Sequence, residues 1–368
     1  MKKVFIHAYV AGNLGDDLFL KVLCQRFPRI QFRLYAGEDY RERLSELKNL
    51  KIYCPTDERT HRWDTFLQKV FHKENGFWKL LIKTSDAVVH IGGSIFTQHS
   101  DQWIDFYKMD ALLLHMSKKL FLIGANFGPY SDEAYYDHYH DLFKNYAGIC
   151  FRDAYSYRLF SDLPNTAYAP DVIYNYKNPA ILPAANKSVV ISVIYLNDRT
   201  GDQGLSSYCE SYYTFIKNCA EYFLKKNYQI HFLSFCAFQN DTGAYEEIRG
   251  RMAEEYRDSV DMITYDRDTD SCVQAIAESE YVIGTRFHSI ILGWLYGKKV
   301  LPISYDTKTT HILADQNIPL SVQIQDLDSI SYENILKELE SSVPVDISYE
   351  LEHADKQFSF FEETFIHS

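Results

Sequence analysis

Short apolar runs, each closing on a cluster of glycine, asparagine or aspartate, leave this chain few folds to choose from. Val4–Val10, Ile30–Tyr35, Ala87–Ile91, Leu120–Ile123 and Gly148–Phe151 are such runs. Between them lie longer stretches with helical spacing; Asp16–Phe27 places apolar residues at 18, 19, 22 and 23. A run that ends in a turn and is followed by a helix is the βαβ rhythm of a parallel sheet. The rhythm then breaks. Pro164, Pro170, Pro179 and Pro183 gather four of the ten prolines into one short region, which reads as a linker. Beyond it the pattern returns, with strands predicted at Ser188–Leu196, Gln229–Ser234, Ser259–Ile263, Tyr281–Gly284 and Lys299–Ile303, and helices at Ser211–Lys225, Ser271–Ala277 and Phe287–Tyr296. The reading is α/β: two tandem doubly wound Rossmann-like domains. They are expected at 1–175 and 188–325, joined by a linker at 176–187 and followed by a helical tail at 326–368. Ligands of such sheets bind beyond the carboxyl ends of the strands, and the cleft between the domains is the expected active site.

Composition narrows the function. The 368 residues can bury two cores, and 46% hydrophobic with 24% charged residues is ordinary for a globular protein. The net charge of −12 is a poor match to nucleic acid. The longest apolar runs are too short to span a bilayer. Met1-Lys2-Lys3 begins like a signal sequence, but Asn13, Asp16 and Asp17 interrupt it. The segment is read as a first strand and the protein as cytoplasmic. Seven cysteines, at 24, 54, 150, 209, 219, 236 and 272, show no paired or Cys/His ligand spacing. They are read as reduced core thiols, and no metal is expected. The 29 tyrosines and 24 phenylalanines fit a sugar-binding cleft or an aromatic core equally well.

The candidate chemistry sits at the ends of the apolar runs. Gly12-Asn13-Leu14-Gly15-Asp16 closes the first run and opens a helix; its amides are suited to an anion or a sugar hydroxyl, or simply to a capped turn. Gly92-Gly93-Ser94 and Gly124–Pro129, with Asn126, allow a close backbone approach. Arg152-Asp153 offers a bidentate fork for a carboxylate or phosphate, or an ion pair with Asp153 or Asp171. Gly284-Thr285-Arg286-Phe287-His288 is the sharpest feature. It puts Arg286 and His288 at a helix N-terminus, where the dipole favours anions and a histidine can exchange a proton near neutral pH. Tyr305-Asp306-Thr307-Lys308 adds a cation after the next strand. Serine-hydrolase and P-loop signatures are absent.

In this order and spacing, these motifs resemble those of the polysaccharide pyruvyl transferases, from about residue 1 to about 320. Ser94 stands where the family commonly has a third glycine. The resemblance implies a GT-B-like fold of two domains, with the acceptor on the N-terminal side and the donor on the C-terminal side. It also implies transfer of the pyruvyl unit of phosphoenolpyruvate onto a sugar of a surface polysaccharide or its precursor, commonly as a ketal. Arg152, Arg286, Phe287 and Lys308 are then the donor-binding candidates, His288 the general acid and Asp16 the candidate base. Asn13, Gly92, Gly93, Ser94 and Asn126 line the acceptor or cleft backbone. Phosphoenolpyruvate serves as co-substrate, with no other cofactor. A lipid-linked acceptor, and with it peripheral contact with the inner membrane face, stays open, as does the oligomeric state. The aromatic stretch Trp63–Trp78 is either that contact or a core-facing helix.

Two rival functions remain in view. A GT-B glycosyltransferase would hold a nucleotide-sugar diphosphate on the same cations and predicts a nucleotide pocket in the second domain. A non-catalytic sugar- or phospholigand-binding module predicts binding that survives replacement of His288.

Overall fold

Apolar runs buried on both faces make the centre of each sheet, as parallel strands covered by helices require. The computed structural model describes residues 1–71, 76–98, 103–200 and 204–367. It divides into two units: Met1–Val10 with Asp16–Tyr176 and Glu350–Ser368, and Ala11–Gly15 with Lys177–Tyr349.

The first unit holds seven strands: β1 (Lys3–Ala8), β2 (Gln31–Tyr35), β3 (Leu50–Tyr53), β4 (Ala87–Ile91), β5 (Leu120–Ala125), β6 (Gly148–Phe151) and β7 (Thr166–Tyr168). They lie in the order β3-β2-β1-β4-β5-β6-β7, all parallel. Every residue of β4, β5 and β6 is buried, whereas the edge strand β3 is half-exposed. The second unit holds β8 (Ser188–Ser192), β9 (Gln229–Ser234), β10 (Val260–Thr264), β11 (Tyr281–Gly284), β12 (Lys299–Ser304) and β13 (Val322–Gln323). Their order, β10-β9-β8-β11-β12-β13, is again parallel and repeats the arrangement of the first sheet without its seventh strand. In each sheet the strand order reverses beside the first strand, between β1 and β4 and between β8 and β11. These switch points are where ligands of doubly wound sheets bind.

Three strands escape the sequence pattern. β3 is interrupted by Lys51, β7 spans three residues in the proline-rich region, and β13 spans two. The first strand stops at Ala8 rather than Val10, and the run from Ser188 to Leu196 leaves its sheet at Ser192. The buried residues that follow Ser192 satisfy their amides on tyrosine hydroxyls instead: Ile194 N–H donates to Tyr212 Oη at 3.2 Å and Leu196 N–H to Tyr213 Oη at 2.9 Å.

The C-terminal segment is not one tail. The helix Tyr332–Ser341 packs with the second unit through Leu336 and Leu339, while Glu350–Ser368 belongs to the first. The buried Gln357 anchors that return. Its amide nitrogen donates to the carbonyls of Phe151, Ala169 and Pro170 at 3.2, 2.7 and 3.0 Å, and its oxygen accepts from Gly124 N–H at 3.0 Å. Phe358 and Phe361 meet Phe27 edge-on, and Phe361 also meets Phe121.

All seven cysteines are free, six of them buried and Cys209 half-buried. Among the described residues no helix is long and apolar enough to cross a membrane.

Candidate functional site

In the first unit, the loops after β4, β5 and β6 bring Ser94, Asn126 and Arg152 together. Arg152 Nη2 donates to Asn126 Oδ1 at 2.7 Å and to Ser94 Oγ at 3.5 Å, and Ser94 Oγ donates to Asn126 Oδ1 at 3.1 Å. Arg152 Nη1 pairs with Asp171 at 3.0 Å, with both side chains buried. The ion pair raised from sequence is therefore present, with Asp171 as its acid. Burial pushes the Asp171 carboxyl up, and the Arg152 guanidinium pulls against it. Asp153 caps the helix Ala154–Leu159, accepting from Ser156 N–H at 2.7 Å and Ser156 Oγ at 2.9 Å. Gly93 lies against the arginine: a β-carbon there would come within 2.6 Å of Arg152 Nη1 and Nη2. A side chain at 93 would require the guanidinium to shift from its bonds to Asp171 and Asn126. Gly92 precedes it, directly after β4.

In the second unit, the turn between β11 and the helix Phe287–Leu295 is built on Ser192 at the end of β8. Ser192 Oγ accepts from Thr285 N–H at 3.0 Å and Arg286 N–H at 3.1 Å, and lies 2.6 Å from Ser289 Oγ. Arg286 occupies the N-cap position of the helix without a side-chain cap. A cation at a helix N-terminus opposes the dipole. Internal partners offset that cost. Arg286 Nε donates to Asp241 Oδ2 at 3.2 Å, Nη2 reaches Asp241 Oδ1, and Nη1 reaches Gln239. Burial works against the arginine's charge, but the Asp241 carboxylate outweighs it and holds the guanidinium above its ordinary value. Asp241 also accepts from Phe235 N–H at 2.9 Å and Cys236 N–H at 3.0 Å, which fixes the loop after β9.

That loop holds the glycine turn of the N-terminus. Leu14 N–H donates to Phe235 O at 3.0 Å, Asn13 bridges to Cys236, and Asn13 Oδ1 accepts from Gly15 N–H at 3.0 Å. Gly12 takes φ +64°, in the left-handed region that glycine adopts at low cost. Gly15 lies directly under His288, so a β-carbon at 15 would overlap the imidazole. Asn13, Gly15, Arg286 and His288 thus belong to one arrangement of the second unit. Gly15→Ala is expected to leave the thermal midpoint nearly unchanged, because alanine suits a helix better and the imidazole can swing aside. Turnover is expected to fall about 10²-fold, the scale of a misplaced reacting group. Steady-state kinetics beside a melting curve check both; unchanged turnover would remove His288 from the chemistry.

The remaining candidates are placed as follows. Asp16 is half-buried in the first turn of the helix Leu14–Arg26. Phe287 is buried and meets the His288 ring at 5.1 Å. Lys308 lies in the first turn of the helix Thr307–Asp315 and pairs with Asp306 at 3.2 Å. Burial would raise the Asp306 carboxyl, but Lys308 and Thr309 hold it below its ordinary value. Trp63 lies on the helix Glu58–Phe71 and Trp78 on the helix Gly76–Lys83. Trp63 and Phe66 are exposed on the first, whereas Trp78 is buried on the second. The side chain of Phe71 lies outside the described residues.

The family model for polysaccharide pyruvyl transferase matches residues 13–307. The chain belongs to that family. As a polysaccharide pyruvyl transferase family member it is an enzyme of the transferase class, acting in polysaccharide biosynthesis. The matched span contains Asn13, Asp16, Gly92, Gly93, Ser94, Asn126, Arg152, Arg286, Phe287 and His288, and ends one residue before Lys308.

Among solved structures, similar folds include Anabaena HepE in complex with UDP and glucose (TM-score 0.57, 12% identity, 100% of each chain covered). S. aureus MnaA with UDP is similar at TM-score 0.57 and 9% identity, over 100% of this chain and 98% of that one. An α,α-trehalose-phosphate synthase (UDP-forming) from Burkholderia vietnamiensis matches at TM-score 0.50 and 11% identity, over 100% and 98%. At these identities the likeness is one of fold, and it establishes this pyruvyl transferase family member as a two-domain α/β protein of GT-B-like class.

Proposed function

We propose that this chain moves the pyruvyl group of phosphoenolpyruvate onto a saccharide of a surface polysaccharide or of its precursor, forming a pyruvate ketal and releasing phosphate. Family membership supports pyruvyl transfer. The observation that carries the mechanistic reading is His288, in the first turn of the helix that Arg286 opens, with its ring over Gly15. In this reading His288 donates a proton to the methylene carbon of phosphoenolpyruvate, and positive charge develops at C2. One sugar hydroxyl adds to C2 and loses its proton. The C2–O bond to phosphate then breaks, and a second hydroxyl adds and loses its proton to close the ketal. One proton ends on the new methyl group and one on the departing phosphate. Arg286 and Lys308 supply positive charge for the carboxylate and phosphate, and Arg152 is the further donor-binding candidate. Asp16 is the candidate base for the sugar hydroxyl. A lipid-linked acceptor would bring the protein to the inner membrane face, where the exposed Trp63 and Phe66 offer apolar contact.

The GT-B-like fold, shared with proteins solved with UDP, keeps a nucleotide-sugar donor as the second reading. Thermal-shift titration separates the two. Phosphoenolpyruvate at 100 times its Kd is expected to stabilise the protein by about 2.7 kcal/mol, while UDP and UDP-sugars produce no shift. A shift with a uridine nucleotide and none with phosphoenolpyruvate would replace this proposal by the glycosyltransferase reading.

A further inference from the structure

Three ligating side chains meet inside the first unit, none of them among the groups assigned above. His7 on β1 and His90 on β4 are register partners in adjacent parallel strands. Alternation along a strand puts them on the sheet face that also carries the buried Phe5 and Val88. Their rings lie 4.6 Å apart. The helix Trp103–Met116 covers that face and lowers Asp110 toward them, with Oδ1 at 3.7 Å from His90 Nδ1. The side-chain donor atoms of the three residues all lie within 4.8 Å of one another. The surroundings are aromatic: Trp78 stands edge-on to His7, and Phe96 to His90.

His90 is 5% exposed, and its Nδ1 has no hydrogen-bond partner among the described residues. A buried polar atom left in this state is uncommon and calls for a physical reason. Asp110 is oriented from behind, its Oδ2 accepting from Tyr139 Oη at 2.9 Å. Burial pushes His7 down to about 4 and His90 well below its ordinary value, so both imidazoles are neutral and each has a lone pair to offer. Burial pushes the Asp110 carboxyl up to about 7, against the pull of the Tyr139 hydrogen bond.

We propose that His7, His90 and Asp110 bind one divalent transition-metal ion of the zinc class. Two imidazoles and a carboxylate suit zinc or cobalt better than magnesium or calcium, which prefer oxygen alone. Bonds of zinc length hold tetrahedral ligands about 3.3 Å apart. Binding would draw the donor atoms, 3.7 Å apart for His90 Nδ1 and Asp110 Oδ1, to that spacing. The fourth position is left to water. Tyr139 acts behind the carboxylate as outer-shell partners of metal ligands do. The ion would join β1 and β4 at the switch point of the sheet, two residues before Gly92. His7 and His90 lie far apart in sequence, so the ligand-spacing argument that led to an expectation of no metal does not see them.

Cobalt(II) titration of the chelator-dialysed full chain tests the site. One equivalent is expected to produce the visible d–d bands of a tetrahedral nitrogen and oxygen site, and zinc is expected to abolish them. Tyr139→Phe keeps the ring and so the packing, and is expected to weaken cobalt binding by about 10–100-fold. His7→Gln and Asp110→Asn are expected to lose the bands, with folding followed by circular dichroism. No visible band in the wild-type protein would overturn the proposal. So would a near-ultraviolet sulfur-to-cobalt band, which would assign the metal to cysteines, or Tyr139→Phe and Asp110→Asn proteins that bind as the wild type does. These readouts do not use turnover, so they decide the metal site whatever the fate of the pyruvyl-transfer reading.

Discussion

Asp241→Ala is expected to unfold much of the second unit at room temperature. Asp241 is fully buried and Arg286 nearly so. Removing one partner of a buried ion pair typically costs about 3–5 kcal/mol, because the other charge stays behind uncompensated. Here the same carboxylate also accepts the Phe235 and Cys236 amides. Each amide left buried without an acceptor adds about 1–3 kcal/mol. The sum rivals the whole stability of a typical domain, about 5–15 kcal/mol. Urea unfolding should show a strongly lowered midpoint. Hydrogen exchange should show lost protection in 229–241 and 281–295 before it is lost in the first unit. Asp241→Asn keeps an amide-accepting oxygen and should recover part of the loss. A midpoint within about 1 kcal/mol of wild type for Asp241→Ala would mean that water reaches Arg286 and screens it.

His288→Ala carries the largest effect expected on turnover. A general acid contributes about 10²–10⁴ in rate. The loss should fall on kcat for phosphate release, with little change in KM for phosphoenolpyruvate, since in the proposed reaction His288 acts on a carbon that gains its proton only in the transition state. Its ring is half-buried over Gly15, so the substitution should leave the fold intact. Arg286 divides differently. Arg286→Ala is expected to raise KM chiefly, but it also strands Asp241 in the core, so Arg286→Lys is the cleaner variant for donor binding. Equal losses in kcat and KM for both positions would contradict this division of roles.

How far the sequence reaches depends on whether the information is local. The buried strands are legible because a strand covered on both faces must be apolar throughout, and β4, β5, β8 and β11 show this in four to six consecutive residues. The half-exposed β3 and the very short β7 and β13 carry no such signal. The placement of Arg286 and His288 at a helix N-terminus follows from the glycine that ends β11 and the apolar helix beyond it. Their partners do not follow. Asp241 sits in a different βα turn, and the pairing of β9 with β8 and of β8 with β11 is what brings it to Arg286. A single acidic residue opening a helix was visible there, but the sequence alone gives no reason to connect it to an arginine so far along the chain. For Arg152 the sequence offers two acids, Asp153 and Asp171, and the pairing of β6 with β7 is what brings Asp171 to it. The register of β1 on β4, which sets His7 beside His90, is equally invisible without the sheet.

The grip of Gln357 on the first unit also bears on how the polypeptide is made. Residues 16–176 leave the ribosome early, but Glu350–Phe365, which complete their core, follow the entire second unit. At translation rates of about 5–20 residues per second, that interval lasts roughly ten to thirty seconds. Throughout it, the amide of Gly124, the carbonyls of Ala169 and Pro170, and the rings of Phe27 and Phe121 wait without their final partners. A nascent chain halted near residue 349 therefore shows an aromatic, hydrogen-bond-hungry surface to chaperones and to its neighbours on the polysome. Misassembly is expected to concentrate in the interval before Glu350–Ser368 emerge.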